Sequence, residues 1–429
     1  MSRDGRVARQ VLAGGLRLIV RENRAAPVVA MTLLVEAGSA YETPGVNGVT
    51  ALLGRVSWKG TDRRSAAELA QAAEDCGGDV ESATDQEYAE LRVRGLARHW
   101  QTLLELLGEV ATRPSLLAAE IDRERAALLS QIRGLEDQPA AVASRLLSRA
   151  LYGDHSYALP TVGSIATVSR LGRSDLVGHL ETFFVPGRMV LAVSGDVAAT
   201  AVLDEAVKAF GSLARGGAGP RPGPPPGRPA VARASERRDT QQAQLHVGVL
   251  APPLGDPDHV ALKVASEVLG GGMSSRLFRT LRDEAGLAYA VGSMYPSRRL
   301  VSRIVAHVGT APQNLAVAEA GIRRELGRLA DEAVPADELA RAKAQLLGGL
   351  ALDLRTTARQ GFYLGFFELM GRGPDYLDRY PDLVESVTAE EVRRVAARYL
   401  TNPSVATVGP DEAPDPPSPS PVESVPCCR

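Results

Sequence analysis

Val177–Gly195 reads VGHLETFFVPGRMVLAVSG, and Val392–Gly409 reads VRRVAARYLTNPSVATVG. Each passes from a helix-like segment through a proline into an apolar run that stops at glycine. Proline cannot continue a helix, and a short Val- and Leu-rich run after it reads as a buried strand. Pro186 and Pro403 stand 217 positions apart. Upstream, PSLLAAEIDRERAALLSQI (Pro114–Ile132) and PADELARAKAQLL (Pro335–Leu347) repeat at nearly the same offset. Superposing Ile121 on Leu339 also pairs Arg123 with Arg341 and Leu128 with Leu346. Strand-like runs lead each half, Leu16–Val20 and Val28–Val35 in the first and Gln244–Leu250 in the second. An order of elements kept over roughly 200 residues is a duplication. It predicts an α+β fold of two homologous domains, each a mainly antiparallel sheet covered by helices, facing each other as a clam-shell. Two facing domains enclose a cleft, the usual place for a ligand.

Composition sets the boundaries. Glycine and proline dominate residues 211–232, which read as a linker between a domain at 1–210 and a second at 233–410, and 411–429 reads as a disordered tail. A formal net charge of -2 over 429 residues provides no positive field for nucleic acid. The pairs Arg63-Arg64, Arg237-Arg238 and Arg298-Arg299 read as solvated surface loops. Three cysteines, two of them at 427 and 428, cannot staple a chain of this size, and no stretch approaches 18 apolar residues. The expectation is a reduced, cytoplasmic protein that neither crosses nor binds a membrane.

Two stretches bear on chemistry. LGGGMSSRLFRTLRDEAGLAYAV (Leu269–Val291) places three glycines, Gly270, Gly271 and Gly272, at a helix end, where they allow backbone geometry closed to other residues. Ser274 and Ser275 are positioned to cap a following helix bearing Arg276, Arg279 and Arg282, and Tyr289 starts a strand. NGVTALLGRVSWKGTDRRS (Asn47–Ser65) opens with a turn, runs into an apolar helix and stops at Lys-Gly-Thr, without a His, Cys or carboxylate on the helix. None of the six histidines has another His or Cys within three to five residues, so no local metal-ligand pair exists. No Gly-x-Ser-x-Gly element is present either.

Both stretches resemble the M16 (pitrilysin-like) metallopeptidases, the family that includes mitochondrial processing peptidase. Members typically read Asn-Gly-x-x-His-x-x-Glu-His before Lys-Gly-Thr, and the resemblance implies a zinc-site helix here. The two His and the Glu fall on Ala51, Gly54 and Arg55. The third ligand, normally a Glu, falls on Gln131, with Glu124 kept from the supporting acidic positions. In the family an Arg and a Tyr seven positions apart bind the substrate carbonyl from the domain opposite the zinc, and Arg282 and Tyr289 match them. A guanidinium fork and a phenol suit an oxygen that gains negative charge during amide hydrolysis. GGDVESATDQEYAELRV (Gly77–Val93) matches the family's substrate-facing edge strand. The resemblance therefore implies a metal-free subunit with no catalysis of its own, pairing as a heterodimer with a zinc-bearing homologue on an extended peptide. The alternative is a non-enzymatic peptide-binding or scaffold homodimer that kept the fold.

Overall fold

The computed structural model describes residues 7–211, 213, 219–224 and 231–410; the 411–429 tail and much of 211–232 lie outside them. The first half contains β1 (Val7–Val11), β2 (Arg17–Glu22), β3 (Val28–Val35), α1 (Val49–Ser57), α2 (Ala66–Asp75), β4 (Asp79–Thr84) and β5 (Ala89–Leu96). It continues with α3 (Trp100–Thr112), α4 (Ala118–Glu136), α5 (Pro139–Tyr152), α6 (Ile165–Val168), α7 (Arg173–Phe183), β6 (Met189–Gly195) and α8 (Ala199–Phe210). The second half contains β7 (Arg233–Arg237), β8 (Ala243–Ala251), α9 (His259–Gly270), β9 (Ala288–Met294), β10 (Ser302–Thr310) and α10 (Leu315–Asp331). It ends with α11 (Ala336–Asp353), α12 (Thr357–Leu369), α13 (Tyr376–Ser386), α14 (Ala389–Tyr399) and β11 (Ser404–Gly409).

The duplication read from the two closing stretches is visible in the sheets. Strand order is β1-β2-β6-β3-β5-β4 in one and β7-β11-β8-β10-β9 in the other. In each, the strand after the proline is interior: β6 runs parallel to β2 and antiparallel to β3, and β11 runs parallel to β7 and antiparallel to β8. β1 is an addition to the first half alone. Gly77–Val93 is a hairpin rather than one strand, because Asp85 N to Tyr88 O closes a turn between β4 and β5.

One face of each sheet carries its own half's helices. In the first, Met31, Leu33, Leu91, Leu191 and Val193 pack against α1 and α3. The opposite faces are covered in exchange. α12, from the second half, lies over β3 and β6, and Phe362, Leu364 and Phe367 bury against Ile19, Leu34 and Val190. α5, from the first half, lies over β8 and β11, where Val142, Ala143 and Leu147 meet Val305, Ala406 and Val408. Two glycines let α12 approach closely. A Cβ at Gly365 would stand 3.0 Å from the Ala192 Cβ, and one at Gly361 would stand 3.4 Å from the Ser194 Cβ.

Arg298 and Arg299, expected in a solvated loop, instead join the two halves. Arg298 pairs with Asp85, and Arg299 pairs with Glu36 while its backbone amide donates to the Glu87 carboxylate at 2.9 Å. Both are drawn in because Glu36 and Glu87 are buried carboxylates needing donors. The connecting residues that are described are also tied down: Arg221 pairs with Glu36 at 3.0 Å, and His155 bonds the Gly223 carbonyl at 2.9 Å. Desolvation largely offsets the Coulomb gain of such buried pairs, whereas each fully buried Leu or Phe contributes about 1.5–3 kcal/mol. Adhesion between the halves therefore comes mainly from α5 and α12, and the ionic contacts set their register.

Candidate functional site

α1 begins in an unusual way. Gly48 sits at φ 98°, and a Cβ there would come within 2.7 Å of Val168. The helix's first free amides are capped by Glu42, which accepts from Gly48 N at 2.8 Å and Thr50 N at 2.9 Å, while Asn47 Nδ2 holds the same carboxylate at 2.7 Å. Burial raises the Glu42 pKa, and these donors oppose the rise. Glu42 lies outside the quoted stretch, so the sequence offered no sign of its role. On the far side, Thr50 Oγ1 bonds His179 Nε2 at 2.9 Å. Burial, aided by the charge of Arg188, lowers the His179 pKa to about 3, so the ring stays neutral. At the other end Gly60, at φ 132°, turns the chain out of the helix.

The four positions matched to zinc ligands and base lie close together around α1 and α4. Ala51 is buried, and a Cβ at Gly54 would meet only Ser82 of β4, at 3.5 Å. Arg55 Nη2 donates to Gln131 Oε1 at 2.5 Å, so residues 76 positions apart in sequence are directly bonded. Arg55 Nη1 also approaches Glu124 Oε2 at 3.6 Å, and Lys59 Nζ lies 3.2 Å from its other oxygen. A fixed guanidinium thus stands between the amide and the remaining carboxylate, and it opposes any cation placed there. Among the described residues no group of three or more His, Cys, Asp or Glu could hold a metal ion.

The glycine-rich stretch works differently from its sequence reading. None of Gly270, Gly271 and Gly272 has a positive φ. What they supply is closeness: a Cβ at Gly270 would lie 2.5 Å from Ser293 N on β9, and one at Gly271 would overlap the Glu267 carboxylate at 2.1 Å. Ser275 does not cap the following helix, because its hydroxyl is buried without a partner. That helix widens into a π-helical segment, Phe278–Glu284, a rare form that is concentrated at functional sites. Nothing in its composition signals the widening. Arg276 is buried in a two-pronged pair with Glu338 (2.9 and 2.8 Å), whereas Arg282 is exposed with its guanidinium 4.7 Å over the Phe278 ring. Gly286, at φ 62°, reverses the chain into β9, where Tyr289 is 76% exposed.

β9 and β4 are the terminal strands of their sheets, each with one side unpaired among the described strands. β9 carries no charged residue, and Met294 at its end is also exposed. Such an edge is a template for a further extended chain.

Two sheets that share one strand plan, each covered on one face by a helix of the other half, make a duplicated α+β fold. The family model described as "Insulinase (Peptidase family M16)" matches residues 17–164, and "Peptidase M16 inactive domain" matches residues 170–346. The chain is 30% identical over 415 residues to the Streptomyces coelicolor "Uncharacterized zinc protease SCO5738", covering 95% of this chain and 90% of that one. It is 28% identical over 395 residues to the Bacillus subtilis "Uncharacterized zinc protease YmxG", with 92% and 96% covered. A Pseudomonas fluorescens structure titled as a peptidase M16 inactive domain shares the fold at TM-score 0.89, with 22% identity over 95% of this chain and 98% of that one. A Helicobacter pylori protease structure does so at TM-score 0.89, with 21% identity over 95% and 100%. The chain belongs to the M16 peptidase family, and its sequence lacks that family's zinc-binding motif.

Proposed function

We propose that this chain is the metal-free subunit of a two-chain zinc peptidase, in which a homologue carries the metal and this chain supplies Arg282 and Tyr289. The contrast between its two halves carries the reading. At α1 the ligand positions bond one another through Arg55 and Gln131, while at the π-helical turn and β9 an arginine and a tyrosine stand exposed with no buried partner to hold them inward. The uncharged edge of β9 and the neighbouring glycines Gly270, Gly271 and Gly272 favour an extended peptide as substrate, and the zinc proteases among the relatives favour the same class. The buried free thiol of Cys76 suits a reduced, cytoplasmic setting.

Purified alone, the chain binds no stoichiometric zinc and cleaves no peptide. Mixed with a zinc-bearing homologue from the same source, it gives metal-dependent peptide cleavage. In that mixture Arg282→Ala and Tyr289→Phe each lower kcat about tenfold or more, the scale of losing an oxyanion donor. Unchanged kcat in both variants rejects the role of the pair. A homodimer that captures peptide without cleaving it, with no associated homologue on co-purification, would favour the scaffold reading instead.

A further inference from the structure

Where the halves meet lies a cavity of about 310 Å³. That is at the lower end of the range for small-molecule sites. α4 and α5 contribute apolar wall through Ile132 and Val142, beside the polar Ser144 and Ser148, and the 158–164 loop adds Leu159 and Val162. The second half contributes two arginines, Arg298 and Arg303.

Arg303 is the unexplained group. Its guanidinium touches only neutral oxygens on α5: the Ser148 hydroxyl, the Ser144 hydroxyl at 3.2 Å and the Ser144 carbonyl at 3.4 Å. No carboxylate of the described residues lies within ion-pairing distance of it. Burial holds its pKa below the ordinary arginine value, with the positive charge of Arg298 adding to that effect and Tyr152 opposing it. Arg298 is itself half satisfied, since its Nη1 reaches Asp85 while its buried Nε has no partner. Glu136 is the one carboxylate on the cavity wall, and Arg145, partly exposed beside it, stands 3.8 Å away and offsets its charge. A desolvated cation without a counter-charge is costly, and an anion bound beside it removes that cost.

We propose that this junction cavity is a binding site for a carboxylate carried on an apolar group, with the carboxylate on Arg303 and Arg298 and the apolar part against Ile132, Val142 and Leu159. A free organic acid and the C-terminus of a peptide share this chemistry. Because its walls come from both halves, occupancy also fastens them together. The site does not depend on the proposed pairing with a zinc-bearing homologue.

The test uses the full chain, with thermal shift and calorimetry on four probes: hexanoate, hexanol, N-acetyl-Gly-Leu and the amide of that dipeptide. Sodium chloride at matched ionic strength is the control. Hexanoate or the dipeptide acid is expected to bind and raise Tm at millimolar concentration, while the alcohol and the amide do not. Binding by hexanoate identifies a free acid as sufficient, and binding by the dipeptide acid alone identifies a peptide terminus. Arg303→Gln weakens binding about ten- to a hundredfold, the worth of a hydrogen bond to a charged group. Ala141→Phe, which fills the cavity and leaves Arg303 in place, abolishes it. Equal binding of acid and alcohol, binding indifferent to both variants, or no Tm shift from either acid would each overturn the proposal.

Discussion

Loss of a metal site at the scale of single residues leaves a charge problem, and Arg55 shows one solution. At Arg55, a position that the family resemblance assigns to a zinc ligand, a covalently attached guanidinium reaches Gln131 and Glu124. The loss was legible in the sequence, because Ala51, Gly54 and Arg55 cannot replace His, Glu and His. The bond was not legible, since spacing alone does not say that two substituted positions have become partners. His179 gives a prediction at the same scale. Its folded pKa is about 3, below the ordinary value of about 6.5. Above about pH 6.5 both folded and unfolded states are neutral, and as pH falls the unfolded state alone takes up a proton, so stability is lost. Between pH 7 and pH 5 wild type should therefore lose about 2 kcal/mol more than His179→Gln, as read by urea denaturation at each pH. Parallel pH curves for the two proteins would show that the ring already titrates in the fold.

Glycines decide matters among the elements, and the sequence mislocated their purpose. The run at 270–272 looked like backbone freedom, yet it is close packing of α9 on β9 and of Glu267 beside Gly271. A sequence marks that a side chain is absent but does not show which neighbour fills the space. The pair Gly361 and Gly365 passed unnoticed for the same reason, as did the π-helical turn, whose residues favour an ordinary helix equally well. Gly365→Leu should destabilise by about 1–3 kcal/mol or more through overpacking against Ala192 and Leu34. Gly348 in α11 has nothing within 4 Å of a built Cβ. Gly348→Ala should therefore stabilise by about 0.5–1 kcal/mol, the helix penalty of glycine. Thermal denaturation of the two variants gives opposite signs of ΔTm if this account holds.

Across the whole molecule, the duplicated order was the most legible feature, because Pro186 and Pro403 mark equivalent corners of two sheets of the same plan. The exchange of α5 and α12 was not legible. An apolar helix face records that it is covered, but nothing in its periodicity states which sheet covers it. The exchange predicts a single unfolding unit in place of two. Residues 1–210 expressed alone lack α12 and expose Ile19, Leu34 and Val190, so they should bind a hydrophobic dye and self-associate. Residues 231–410 should do likewise for want of α5, and co-expression of both pieces should yield a soluble complex. Two separately folded monomers with sharp, independent melting transitions would contradict this.

The reciprocal helices also impose a schedule on synthesis. The last strand of the first sheet leaves the ribosome at Gly195, but the helix that shields its outer face is not complete until Leu369. At about 5–20 residues per second, that face waits roughly 10–35 s for its cover. Through that interval the nascent chain presents a flat apolar surface in a crowded cell. Slowing translation over codons 200–370 should thus raise aggregation, whereas the same pause placed after codon 370 should have little effect.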